Sequence, residues 1–194
     1  DVMEPVEGET LQDKKETLLD HLVRSGHFGP FEHPTATFAV EGVSRACMAQ
    51  LTRHRHASFD VMSMRYVDLS GDFELDERFT YPETFTEEEV VSREGVEDVE
   101  MDADERVDVA DDVYEHCMEA YTELVEAGVP KEDARMLLPI GTKVNLTFSM
   151  NARALMHLLD MRMKAVAQWE IRELSKKVLE HSKEWMPYTF EQYE

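Results

Sequence analysis

The chain has 194 residues, of which 42% are hydrophobic, with 20 Lys and Arg against 42 Asp and Glu for a formal charge of −22. That composition fits a folded chain with a real core and excludes a disordered polymer. It also argues against polymeric nucleic acid as a partner, because such proteins present a broad basic face. No apolar run approaches the roughly 20 residues of a membrane-spanning helix, and no signal peptide is evident.

Residues 1–9 read as an acidic, irregular lead-in. A helix is predicted over Thr10 to Ser25, with Leu11, Leu18, Leu19, Leu22 and Val23 on one stripe and Gly26 as its stop. Gly26 to His33 is a turn-rich loop holding His27 and His33. Thr35 to Val40 alternates like a strand, and Gly42 is expected to break it. Ser44 should cap a helix from Arg45 to about His54.

Between Val43 and Val67 the charge reverses. Arg45, Arg53, Arg55 and Arg65 stand with His54, His56 and a single acid, Asp60. An acidic protein that gathers cations beside Ser58, Ser63 and Tyr66 is holding an anion there, since the guanidinium fork binds phosphate bidentately and keeps its charge. The bland alternative is that these arginines pair with surface acids. Ser58 to Met64 reads as a loop and Tyr66 to Leu69 as the start of a strand.

Turn residues and aromatics fill Ser70 to Thr86. From Thr86 to Asp112 there are 13 acids and two bases, an insertion-like segment expected to be solvated. Val109 to Ala127 is predicted as an amphipathic helix, with Val109, Val113, Cys117, Tyr121 and Leu124 in line, joined by Ala110, Tyr114, Met118 and Val125. Pro130 opens a short helix through Arg135 to Leu138. Gly141 to Ser149 is a half-buried strand with Val144, Leu146 and Phe148 inward. Asn151 caps a long helical region reaching about Glu184, apolar on enough sides to be shared between subunits. The aromatic tail from Trp185 is expected to pack back. The fold class is therefore α/β (α+β): a single domain, 1–194, with a small sheet flanked by helices.

Cys47 and Cys117 read as buried thiols in a reducing compartment. No phosphate-loop or nucleophile-elbow motif is present. A metal is not expected, because Arg53 and Arg55 flank His54 and two guanidinium charges oppose a dication. The excess acid suits a very salty cytoplasm; its rival is an acidic face for a basic partner, with the arginine island merely structural.

Arg53-His54-Arg55, seven residues and then Ser63 is the RHR-x7-S signature, and with Gln50, Ser58, Arg65 and Tyr66 it resembles the flavin-dependent thymidylate synthases. Gly26-His27-x2-Pro30-Phe31-Glu32-His33, Ala134-Arg135-x2-Leu138-Pro139, Asn151-Ala152-Arg153-x-Leu155-Met156-x5-Arg162 and Ala167-Gln168-Trp169-Glu170 fall in the family's order. The resemblance implies a cytoplasmic homotetramer with intersubunit active sites, which converts dUMP to dTMP. Methylenetetrahydrofolate would donate the carbon, and FAD reduced by NADPH the hydride. It implies FAD contacts from His27, Arg53, His54, Arg55, Val61, Asn151, Ala152, Arg153 and His157. It implies dUMP contacts from Gln50, Leu51, Thr52, Arg53, Val61, Met62, Ser63, Met64, Arg65 and Arg135, with Arg162 against the uracil as the catalytic residue. The family needs no cysteine nucleophile.

The sequence departs from the family pattern in four places. Asp60-Val61-Met62 replaces the usual Asn-Glu before Ser63. Met64 stands for a common glycine, which would add bulk near the dUMP phosphate. His157 stands for asparagine. The N-terminal strand is not evident, and the acidic segment is expanded. The first and second departures motivate an alternative, a flavin- and nucleotide-binding scaffold without methylation. Arg153 and Arg162, nine residues apart, fall about 180° apart on a straight helix, so they serve one site only if the helix breaks or two subunits contribute.

Overall fold

The computed structural model describes residues 10–71, 73–87 and 100–193. In chain order it contains α1 (Leu11–Arg24), a 3-10 turn (Gly29–Glu32), β1 (Thr35–Ser44), α2 (Arg45–Leu51), β2 (Ser58–Val61), α3 (Leu75–Arg78), α4 (Glu83–Thr86) and α5 (Ala103–Glu126). After these come α6 (Lys131–Ala134), a second 3-10 turn (Arg135–Leu137), β3 (Lys143–Asn151), α7 (Ala152–Arg162), α8 (Trp169–Trp185) and α9 (Pro187–Phe190). The three strands form one sheet in the order β1-β3-β2. This is the mixed helix-and-small-sheet class that the sequence predicts.

The described residues divide into two compact units, one drawn from Asp1–Phe38, His54–Ser58 and Phe148–Glu194, the other from Ala39–Arg53 and Phe59–Thr147.

In the first unit, α1 begins with a capping box in which Thr10 and Asp13 exchange side-chain and backbone hydrogen bonds, satisfying donors that a helix start leaves open. No residue of α1 is fully buried; Leu11 and Leu18 are exposed and Leu19, Leu22 and Val23 half-buried. The core lies instead on α7 and α8, through Leu155, Met156, Leu158, Leu159, Ile171, Val178 and Leu179. The tail does pack back: α9 lies against α1 and α8, and Phe190 is fully buried. The predicted long helix is two helices, because Met163 to Gln168 interrupts it and Gln168 recaps α8 by accepting from the Ile171 amide at 3.0 Å.

In the second unit, β1 does not stop at Gly42. The glycine takes φ 68° and donates its amide to the Asn145 side chain at 2.9 Å, and the strand continues to Ser44. A left-handed residue inside a strand is a place for glycine. Ser44 caps α2 as predicted, accepting from the Cys47 amide at 3.0 Å, but α2 ends at Leu51, three residues early.

Ser58–Val61 is a strand rather than a loop, and Tyr66 to Leu69 is turn and coil rather than strand. β2 is short and alternates half-buried and exposed, a pattern easily read as coil. The buried face of α5 is Ala103, Ala110, Tyr114, Met118 and Tyr121, whereas Val109 and Val113 are 55% and 52% exposed. Of the apolar residues predicted to line the helix, Ala110, Tyr114, Met118 and Tyr121 are buried, and the Val109–Val113 edge of the stripe faces out. Cys47 is fully buried and Cys117 only partly. Residues 1–9 and the 88–99 part of the acidic segment lie outside the described residues.

β3 alternates inward as expected, with Val144, Leu146, Phe148 and Met150 all buried. Its register against β1 is antiparallel. In the second unit Arg45 N donates to Thr142 O at 3.0 Å, and in the first Ala152 N donates to Pro34 O at 2.9 Å. Numbers rise along one strand as they fall along the other.

Candidate active site

Asn151 ends β3 and caps α7, its Oδ1 accepting from the Ala154 amide at 2.8 Å. That cap opens α7 with Ala152 buried and Arg153 half-buried at the positive end of the helix. Arg153 lies over Phe28, the guanidinium carbon 4.3 Å from the ring centroid. Phe28 follows His27, which is exposed.

The other end of α7 carries Arg162. Its Nε donates to His54 Nε2 at 3.0 Å. A nitrogen that accepts carries no proton, so the neutral His54 ring holds its proton on Nδ1. The His54 ring also meets that of His157 edge-on, with centroids 6.0 Å apart. The first unit thus brings His54, His157 and Arg162 together, although His54 is 108 residues from Arg162 in sequence.

α7 runs without a break through Arg153 and Arg162. The two side chains leave it on opposite sides, about 13 Å apart along the axis. The broken-helix arrangement is therefore excluded.

The second unit assembles another set. Gln50 and Leu51 close α2, half-buried and buried, and Thr52 and Arg53 follow, exposed. β2 ends at Val61, and Met62 N donates to Asn145 O at 2.9 Å. The chain then turns: Ser63 O accepts from the Tyr66 and Val67 amides, both at 3.1 Å. Within that turn Met64 is buried, its sulfur accepting from Arg45 Nη1 at 3.1 Å. Met64 and Leu51, like Ala152 in the first unit, therefore offer a ligand their backbone and not their side chains.

Arg65 and Arg135 meet on one residue. Arg65 Nε pairs with the Glu132 carboxylate at 2.5 Å, and Arg135 Nε donates to the Glu132 carbonyl at 3.0 Å. Each guanidinium is held by Nε, which leaves the terminal nitrogens as donors. Sequence reasoning placed Glu132 only in a helix first turn and passed over Phe28. The one available signal for Glu132 was its spacing three residues before Arg135.

The electrostatics separate the arginines. Arg65 has found an acid, as the surface-pairing alternative predicts. Arg53 and Arg55 are exposed and, among the described residues, make no ion pair or hydrogen bond. In a chain of charge −22, two unpaired guanidinium groups flanking His54 concentrate positive potential where acids could have stood. Within the first unit, Arg55 beside His54 and Arg153 at a helix start are donors of the kind that fit a cofactor carrying phosphates.

A cavity of 790 Å3 elsewhere in the second unit is lined by Glu74, Asp76, Asp111, Glu115 and Glu119 with Tyr81. It repels anions and contains no sequence-predicted site residue. Burial first, and then the hydrogen bond to Asp111, push the Tyr81 phenol above its ordinary range. Among the described residues no cluster of His, Cys, Asp or Glu is arranged to hold a metal, and no helix is long and apolar enough to cross a membrane.

Residues 2–188 match the family described as thymidylate synthase complementing protein. The chain is 54% identical to a flavin-dependent thymidylate synthase of Haloarcula marismortui, across 99% of this chain and 80% of that one. It is 48% identical to the enzyme of that name from Halobacterium salinarum, again across 99% and 80%. Among solved structures it resembles a UMP/dUMP methylase, PolB from Streptomyces cacaoi, bound with 5-Br UMP. That likeness has a TM-score of 0.78 at 30% identity and covers 91% of this chain and 81% of that one.

Proposed function

The chain belongs to the thymidylate synthase complementing protein family, and on that premise we propose that it is a flavin-dependent thymidylate synthase, converting dUMP to dTMP by reductive methylation. One observation carries the reading: among the described residues Arg53 and Arg55 stand unpaired on either side of a His54 that already holds Arg162.

His27, Arg53, His54, Arg55, Asn151, Arg153 and His157, with backbone at Val61 and Ala152, would hold FAD. When bound, FAD reduced by NADPH supplies the hydride. Gln50, Ser63, Arg65 and Arg135 would hold dUMP, with Arg53 serving both ligands and Leu51, Thr52, Val61, Met62 and Met64 lining the nucleotide through their backbones. Two guanidinium groups oriented by Glu132 suit the phosphate, each charge-assisted bond contributing about 1.5–3 kcal/mol.

Arg162 would face the uracil. Its Nε donates to His54, which fixes where the guanidinium lies. A cation against N3 favours the ionised ring, which moves electron density to C5. C5 would then bond to the methylene carbon of methylenetetrahydrofolate as one of that carbon's bonds to folate nitrogen breaks, and the C5 hydrogen would leave as a proton. Ser63 binds rather than attacks, since no histidine–carboxylate relay faces it. Cys47 is fully buried, which agrees with chemistry that needs no cysteine nucleophile.

Continuity of α7 between Arg153 and Arg162 supports active sites shared between subunits, in a homotetramer of the cytoplasm. So do apolar residues left facing outward beside the site arginines: Met136 and Ile140 after Arg135, 81% and 74% exposed, and Val166 after Arg162, 85% exposed. The non-methylating alternative loses part of its motive, because Met64 turns its side chain into the protein and adds no bulk outside.

The test is a spectrum followed by an assay. Protein purified in concentrated salt should show flavin absorption bands. It should then release tritium from dUMP labelled at C5, dependent on NADPH and methylenetetrahydrofolate. Colourless protein that takes up no FAD overturns the proposal; flavin binding without release favours the non-methylating scaffold.

A further inference from the structure

Arg153 has no ion pair among the described residues. What holds its guanidinium is the face of Phe28, at 4.3 Å. Both partners rest on fixed backbone. Gly26, at φ 71°, reverses the chain after α1, and the His27 amide donates back to Leu22 O at 2.9 Å. Phe28 O then accepts from the Phe31 amide at 3.0 Å, and the Phe28 ring leans on that of buried Phe31 with centroids 6.5 Å apart. On the other side, the Ala152 amide donates to Pro34 O at 2.9 Å and pins the start of α7 to the same loop.

The choice of an aromatic partner has a chemical consequence. A carboxylate would occupy two of the five guanidinium N–H donors and cancel the charge. A ring face attracts the cation through its quadrupole and occupies none of the donors, which lie in the guanidinium plane. The contact therefore restrains the Arg153 guanidinium without a carboxylate taking up its donors, which stay open to an anion. Fixing it beforehand reduces the ordering cost of binding.

We propose that Phe28 is a positioning residue, which holds the Arg153 guanidinium with its donors open for an anionic group of the flavin cofactor. The inference rests on the reading of Arg153 as a cofactor residue.

Apoprotein in molar potassium chloride, titrated with FAD and followed by quenching of flavin fluorescence, tests both. Phe28→Leu removes the π face but keeps apolar bulk, and should weaken FAD binding about three- to tenfold. Phe28→Tyr restores the face and should bind within about twofold of wild type. Arg153→Gln should weaken binding more than about tenfold. In that background Phe28→Leu should add nothing, because the contact it removes is already gone. Thermal melts in the same buffer report folding, and Phe28→Met replaces the leucine variant if that one unfolds. Wild-type affinity in Phe28→Leu, or an equal penalty with and without Arg153, overturns the inference alone. Wild-type affinity in Arg153→Gln overturns the assignment of Arg153 and the inference with it.

Discussion

At the residue scale the arginines of one short stretch have separated into two kinds. Arg65 is paired with Glu132, while Arg53 and Arg55 are exposed and, among the described residues, unpaired. The cationic island was legible from composition, because acids are so dense elsewhere. Its division was not, since Glu132 and Arg162 lie far along the chain from the arginines and histidine they contact. Arg55→Ala should therefore weaken FAD binding about tenfold or more, read by equilibrium titration, with little change in melting temperature because no intramolecular bond is lost. Tyr193 gives a separate handle on the first unit. Burial, and then the Asp160 carboxylate, push its phenol up to about 12 from 10.0, against a smaller opposing effect of Arg153. The folded state keeps a proton that the unfolded chain releases. Tyr193 thus contributes stability fully present below pH 10 and lost as pH rises from 10 toward 12. Tyr193→Phe should flatten that part of the alkaline stability profile; an unchanged slope in denaturant melts between those pH values would refute the assignment.

At the element scale, what was legible depended on whether local signals agreed. Caps and stops were read well: Thr10 and Ser44 at helix starts, Gly26 at an end, Asn151 before α7. Each is a side chain or backbone preference that acts within four residues. Three failures were cases where a distant partner decided. Gly42 looked like a break, but the Asn145 side chain takes over its amide and carries β1 onward. β2 is a strand because β3 pairs with it, not because Ser58–Val61 insists on it. On α5 the sequence offered Val109 and Val113 beside Ala110 and Tyr114, and the neighbours chose the second pair. Two substitutions probe these devices. Ser44→Ala should cost about 1 kcal/mol by removing the cap of α2, and a melt should show it. Gly42→Ala places a Cβ at φ 68°, where an L-residue costs roughly 1–2 kcal/mol. Neighbours would not resist it, since the nearest atom to such a Cβ is the end of Lys143 at 4.0 Å. Any loss measured there is therefore backbone strain, and Gly42→Asn, which tolerates that region better, should recover part of it.

At the scale of the whole molecule, the charge of −22 is a property no single contact offsets. The curated relatives named above come from halophiles, and α5 shows how salt would act. Its outward positions include Asp104, Asp108 and Asp112 at intervals of four, and Glu115, Glu119 and Glu123 at the same interval, all exposed. Like charges so spaced sit about 5–6 Å apart and destabilise a helix by roughly 0.2–0.5 kcal/mol per pair. At 0.01 M salt the Debye length is about 30 Å, and every such pair also feels its neighbours' charges; at 1 M it is about 3 Å, shorter than the spacing. The exposed ion pairs, Arg65–Glu132 among them, are weakened by the same screening, but with 42 acids against 20 Lys and Arg repulsion is the larger effect. Net stability should therefore rise with salt, and far-UV circular dichroism on dialysis from molar to millimolar potassium chloride should show loss of helix. Changing Asp108→Asn, Asp112→Asn, Glu115→Gln and Glu119→Gln together should lower the salt midpoint of that transition without touching any residue assigned to a ligand. If the variant needs as much salt as the wild type, repulsion along α5 is not what salt relieves, and a basic partner for this face becomes the better account of its acidity.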